Sequence, residues 1–105
     1  MGLPSKDRLR AKLKSEDTTI RVLLFHPMDT GRAKDKAGNL IPAKFIQEIH
    51  CWRNGEEVLT IKCGTATAKN PYFSFQLVGG KLGDKISLRW VDNRGSKGVV
   101  ETTVT

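Results

Sequence analysis

The residues with the greatest chemical reach in this sequence are two histidines, His26 and His50, and two cysteines, Cys51 and Cys63. Their spacing matches no zinc pattern. His50 and Cys51 are neighbours in an extended run, so they point to opposite faces and cannot share a metal without distortion. Asp29 and Asp35 lie in a polar stretch with no second carboxylate held near them, which is poor ground for general acid–base work. No Gly-rich phosphate loop, P-loop or nucleophile elbow is present. The cysteines read as small core hydrophobes rather than reactive thiols. The chain is therefore not read as an enzyme, and it offers no catalytic, cofactor-binding or metal-binding residue.

The element that positions His50, Cys51 and Cys63 is a hairpin. Two alternating runs, Phe45 to Arg53 and Glu57 to Cys63, flank Asn54-Gly55, a strong turn signal because both residues tolerate positive φ. Cross-strand partners share a face, and the apolar faces here are Phe45, Ile49 and Cys51 against Leu59, Ile61 and Cys63. A three-residue loop, Asn54 to Glu56, sets Cys51 opposite Leu59, Ile49 opposite Ile61 and Gln47 opposite Cys63. A two-residue loop would set Leu59 opposite His50, on the wrong face. In the chosen register the cysteines are about 13 Å apart along the ladder, beyond the roughly 7 Å that a disulfide spans. Both are expected to be separate, reduced and buried.

The 105 residues suit one domain, 1–105, with a single core. No apolar stretch approaches the roughly 20 residues of a membrane span, so no membrane contact is expected. The start, Met1 to Arg8, has no apolar h-region and no twin arginine, and so reads as lacking an export signal of its own. A net charge of +7 admits nucleic acid, an acidic partner or a small anion. Aromatic residues interleaved with basic ones would favour nucleic acid. Here the aromatics fall where a core needs them, and the expectation is no nucleic acid, with a basic domain binding nucleic acid or another acidic partner as the alternative.

Along the chain, Lys6, Arg8, Arg10, Lys12 and Lys14 alternate with Asp7, Leu9, Ala11 and Leu13, giving a strand with a basic outer face. Such an edge deters unwanted strand pairing. Ser15-Glu16-Asp17 turns into a strand from Thr18 to His26. Ile20, Val22 and Leu24 face one way, but Leu23 and Phe25 make the other face apolar too. A sandwich covers only one face from within, so Leu23 and Phe25 are candidates for a partner surface. The long connection from Pro27 to Pro42 is expected to have a mobile tip and two pinned apolar ends.

After the hairpin, 65–71 reads as irregular. Tyr72 to Val78 follows as a strand, then a turn at Gly79 to Asp84, a strand from Lys85 to Val91, a turn at Asp92 to Gly95 and a last strand from Val99 to Val104. Phe73, Phe75 and Leu77 are expected to share one core with Ile86, Leu88, Trp90, Ile49, Leu59 and Ile61. The six-residue turn at Gly79 is long enough to cross between sheets about 10 Å apart. Seven strands with near-regular turn signals and no helix define an all-β sandwich.

Four blocks occur in one order: His26-Pro27-Met28-Asp29-Thr30-Gly31, a polar loop closed by Ile41-Pro42, Asn70-Pro71-Tyr72-Phe73-Ser74-Phe75, and Trp90-Val91-Asp92-Asn93-Arg94-Gly95. Together they resemble the SoxZ family of bacterial sulfur oxidation, over roughly residues 8 to 104. The resemblance implies a seven-stranded immunoglobulin-like β-sandwich that pairs with SoxY, whose Gly-Gly-Cys-Gly-Gly arm carries thiosulfate-derived sulfur between the enzymes of the pathway. This chain ends Glu101-Thr102-Thr103-Val104-Thr105 and so looks like the non-carrier half. The resemblance further implies a heterodimer, transient contact with other sulfur-oxidation enzymes, and a place in the periplasm by co-export with a signal-bearing partner. Partner contact is expected at Leu23, Phe25, His26, Pro27 and Met28. A rival class, the superoxide reductases, uses a related sandwich to hold iron with several histidines and one cysteine. Two histidines on separate strands cannot supply that set.

Overall fold

A computed structural model describes residues 7–64 and 69–105. The expected start of the first strand at Lys6 and the irregular reading of 65–68 lie outside the described residues. Within them are seven strands and no helix: β1 (Arg8–Lys14), β2 (Asp17–Leu23), β3 (Ile46–Arg53), β4 (Glu56–Lys62), β5 (Tyr72–Leu77), β6 (Lys85–Asp92) and β7 (Lys97–Thr103). They form a three-stranded sheet, β1-β2-β5, and a four-stranded sheet, β4-β3-β6-β7. All pairs are antiparallel. The chain is a β-sandwich.

Period-2 patterning explains the core. Leu9 and Ala11 of β1, Ile20 and Val22 of β2, Leu77 of β5, Ile46, Ile49 and Cys51 of β3, and Ile86 and Leu88 of β6 are buried, with Phe73, Phe75, Leu59, Ile61 and Trp90 packed against them. All nine residues expected in one core are in it. Burying such side chains contributes roughly 1.5–3 kcal/mol each, and it requires both sheets to present one apolar face. The turn after Gly79 crosses between sheets as expected, since β5 and β6 lie in different ones.

The hairpin needs one correction. Cys51 pairs with Leu59 and Ile49 with Ile61, as expected, but Arg53 pairs with Glu56, and the register shifts between Cys51 and Trp52. The loop is therefore two residues, not three, and Val58 is left over as a β-bulge. Asn54 (φ 52°) and Gly55 (φ 83°) are both left-handed, which suits the primed turn that matches strand twist. The bulge then returns Leu59 to the inner face. The cysteines are unbonded, but only Cys51 is buried; Cys63 is half-buried. Burial pushes the Cys51 thiol up to about 11, against a small opposing pull from Arg53, and raises Cys63 as well.

The long connection is tied by backbone hydrogen bonds at its tip and at its base. Its tip is a hydrogen-bonded turn: Asp35 N–H donates to Asn39 O at 2.8 Å, and Asp35 Oδ1 accepts from Ala37 and Asn39 N–H. Both apolar ends are pinned, but differently: Met28 is buried, whereas Leu40 is 62% exposed and its neighbour Ile41 is half-buried with its N–H donated to Ala33 O at 2.8 Å.

On the outer face of the larger sheet, His50 sits between two carboxylates. Its Nδ1 contacts Glu57, and its Nε2 lies 2.9 Å from Glu48 Oε2. Hydrogen bonding to Glu57 is the main cause that holds the His50 pKa above its ordinary value. The same bond holds Glu57 below its own. A histidine raised on folding stabilises fully below its unfolded value of about 6.5 and loses that contribution as pH rises through the folded value. A depressed glutamate stabilises above about 4.3 and loses its contribution as pH falls. The pair should therefore support the fold best between these values. Melting temperatures of wild type and His50→Gln should converge as the pH is raised past neutrality; curves that stay parallel from pH 5 to 9 would sink this reading.

Candidate functional site

The residues expected to meet a partner divide between surface and interior. Leu23 lies directly opposite Tyr72 in the β2–β5 ladder, so the two share the outer face of the smaller sheet. Phe25 continues that face two positions on. Leu23 is half-buried, while Phe25 is 43% and Tyr72 58% exposed. Pro27 is exposed as well. His26 and Met28 are buried, at 2% and 5% exposure, so they reach a partner only through the backbone they hold.

His26 is the centre of a buried network. Met28 N–H donates to His26 Nδ1 at 3.0 Å, so the ring proton sits on Nε2, which donates to Asp92 Oδ2 at 3.1 Å. Asp92 Oδ1 accepts from Arg94 N–H at 2.9 Å and Ser96 N–H at 2.8 Å. Lys44 Nζ lies 3.5 Å from Asp92 Oδ2 and donates to Ser96 Oγ at 3.0 Å. Burial alone would raise the Asp92 pKa, but the His26 bond, the two N–H donors and the Lys44 charge together hold it below the usual carboxylate range. Both ring nitrogens of His26 are engaged, leaving no lone pair for a metal or a substrate proton. The chemistry of this group is structural.

The network joins distant segments. Asn70 clamps the His26 backbone twice: its Oδ1 accepts from His26 N–H at 3.0 Å, and its N–H donates to His26 O at 2.9 Å. Asn93 Oδ1 accepts from Phe45 N–H at 2.8 Å, and Asn93 N–H donates to Phe45 O at 3.0 Å. Asp29 and Lys44 exchange backbone bonds at 2.7 and 2.9 Å. The Trp90 ring meets the His26 ring edge-on, with centroids 5.2 Å apart at 85°.

Asp7 ties this interior to the surface stripe. Its Oδ1 accepts from Phe25 N–H at 2.7 Å and its Oδ2 from Trp90 Nε1–H at 2.9 Å. Trp90 fits only because its partner on β7 is glycine, since a Cβ on Gly98 would lie 2.2 Å from the indole nitrogen. Phe25 is thus held by its backbone while its ring remains available. A rigidly presented aromatic ring loses little conformational entropy on binding.

The sequence assigns no site role to Lys44 or Asp7, and it carries Asn70, Tyr72 and Asp92 only as members of the motif blocks. A signal existed for the central pair. His26 falls on the inward parity of Ile20, Val22 and Leu24, and Asp92 on that of Ile86, Leu88 and Trp90. Two polar residues at inward positions of two strands need each other.

Among the described residues, no group of three or more His, Cys, Asp or Glu side chains is placed to hold a metal ion, and no helix is long and apolar enough to cross a membrane.

The fold and this site define an all-β domain whose polar interior knits loops together beneath an apolar surface stripe. The family of the sulphur oxidation protein SoxZ matches residues 7–103, nearly the whole chain, and the protein belongs to it. It is thereby a sulfur-oxidation protein, and in family terms SoxZ is a non-catalytic subunit. No curated protein matches the chain.

Proposed function

We propose that this domain is the positioning subunit of a sulfur-carrier complex. It binds a SoxY-like partner through the stripe of Leu23, Phe25 and Tyr72 with Pro27 beside it, while His26 and Met28 fix the base of the following loop. The observation that carries the proposal is Phe25 itself, an exposed aromatic whose backbone is locked by Asp7 to the half-buried Trp90. A stable heterodimer needs about 800 Å² per partner around a buried aromatic or aliphatic anchor, and an exposed pair of aromatics in one stripe supplies such an anchor. With both His26 nitrogens engaged, the contribution to sulfur transfer is positional: the domain holds the carrier and presents its cysteine arm to enzymes that it touches transiently. The setting we propose is the periplasm, reached by co-export with the partner.

Phe25→Asp tests this. Co-expressed with a partner ending in Gly-Gly-Cys-Gly-Gly, the variant should lose heterodimer in size-exclusion chromatography, at least a hundredfold in Kd. The isolated domain should stay folded, because the replaced ring is a surface group whose loss removes no core contact. Unchanged affinity would place the interface elsewhere.

A further inference from the structure

We infer that the basic end of the outer face of the β1–β2 sheet is a docking surface for an acidic, extended segment of a partner polypeptide. This surface adjoins the apolar stripe but does not depend on it. Arg8, Arg10, Lys12 and Lys14 of β1 are all exposed on one face, as is Arg21 of β2. None of the five takes part in an ion pair among the described residues, and the residues outside them, 1–6 and 65–68, contain no Asp or Glu. The acids nearest in sequence are engaged otherwise or lie off the face. Asp7 holds Phe25 and Trp90, Asp17 lies opposite Lys14 in the ladder but accepts from Gly79 N–H instead of forming an ion pair with it, and Glu16 sits in the turn.

Register makes this arrangement costly. Arg10 is directly opposite Arg21, where side chains start about 4.5–5.5 Å apart and like charges destabilise the pair. Edge protection explains the charges of β1, but not a fifth cation on the central strand β2, which has neighbours on both sides. Nor does the free edge of β1 lie fully open: Leu13 N–H donates to Thr105 O at 3.0 Å, and Thr105 N–H to Ala11 O at 3.1 Å. The cations therefore gather on a face whose edge is already partly occupied.

The shape narrows the ligand. A cleft of about 400 Å³ runs along this face, with Arg10, Lys12, Lys14 and Arg21 beside the hydroxyls of Thr19, Thr102, Thr103 and Thr105. The Thr19 hydroxyl is buried and without a hydrogen-bond partner. Successive β1 cations are about 6.7 Å apart, so the row is roughly 20 Å long. That length exceeds what one small oxoanion can neutralise. It matches an extended polypeptide with carboxylates at alternate positions, which has the same period. No aromatic ring lines the cleft, so it lacks the stacking platform that single-stranded nucleic acid uses.

The test uses the whole protein and a fluorescein-labelled peptide of six Glu-Ser repeats, followed by anisotropy. Binding should be saturable and should weaken steeply as salt is raised, because exposed charges are screened. Combining Arg10→Glu with Lys12→Glu should weaken it at least tenfold, whereas Phe25→Ala should leave it unchanged, which separates this surface from the proposed carrier interface. Arg10→Glu places opposite charges across the ladder at Arg21, so its melting temperature should hold or rise. If that variant fails to fold, Arg21→Gln with Lys12→Gln serves in its place. Three results would each overturn the proposal: peptide affinity unchanged by charge reversal, tighter binding of a single-stranded oligonucleotide of equal charge, or full displacement of the peptide by sulfate at equal ionic strength to a sodium chloride control that displaces none.

Discussion

Asp92→Ala is expected to destabilise the domain by about 3–5 kcal/mol, because it removes a buried carboxylate on which several donors converge and leaves each of them unsatisfied. Four groups lose their acceptor together: His26 Nε2–H, the backbone N–H groups of Arg94 and Ser96, and the Lys44 ammonium. The first three are held in place by the β6–β7 turn and by Met28, so they cannot easily turn to water. Each unsatisfied buried donor costs roughly 1–3 kcal/mol. Urea unfolding followed by tryptophan fluorescence measures the loss, and a value below about 1 kcal/mol would mean that water replaces the carboxylate. The pH dependence gives a second readout. Because the folded pKa of Asp92 is depressed, its contribution is complete above the unfolded value of about 3.9 and disappears as pH falls through the folded value. Wild type and Asp92→Ala should therefore converge in stability towards strongly acidic pH.

Trp90→Ala should cost about 3 kcal/mol, the low end for removing a large aromatic from a core, because the ring is half-buried. The substitution leaves a space over Gly98, removes the edge-on contact with His26 and deprives Asp7 of one of its two donors. The last effect reaches the surface. With Asp7 free to turn, the Phe25 backbone loses its anchor, and affinity for the carrier should fall even at temperatures where the variant is fully folded. Equilibrium unfolding gives the first quantity and calorimetric titration of the partner the second. A stability loss under 1 kcal/mol would show that Trp90 is not a core residue.

The architecture was legible because β sandwiches write their faces into period-2 patterns. Ile20, Val22 and Leu24 against Ile86, Leu88 and Trp90 give both inner faces directly. Asn54-Gly55 marked the hairpin, but its bulge at Val58 was hidden, since a two-residue turn with a bulge and a three-residue loop give the same register at Cys51 and Ile49. Pattern alone cannot tell them apart; turn twist decides. The surface positions of Leu23 and Phe25 also followed from parity. The burial of His26 and Met28 follows from parity too, since both continue the inward positions of Ile20, Val22 and Leu24. Asp7, Asn70 and Asn93 act through backbone groups of residues 18, 44 and 48 positions away, and no local pattern encodes such pairings.

The two sheets differ in how far the chain must travel to complete them. Every neighbour in the larger sheet except β3–β6 is joined by a short turn, Asn54-Gly55 for β3–β4 and 93–96 for β6–β7. The smaller sheet closes only when β5 returns to β2, setting Thr18 opposite Leu77, and its other edge is fastened by Thr105 to Ala11, 94 positions away. Entropy of loop closure must be lost before such contacts can repay it, so high contact order slows folding into the millisecond-to-second range. During synthesis the β1–β2 hairpin leaves the ribosome first and waits longest, its apolar inner face uncovered until β5, β6 and β7 arrive. Aggregation of the nascent chain is thus expected first at the very sheet that carries the partner stripe, where a row of like charges on the outer face opposes pairing with other copies of the waiting hairpin.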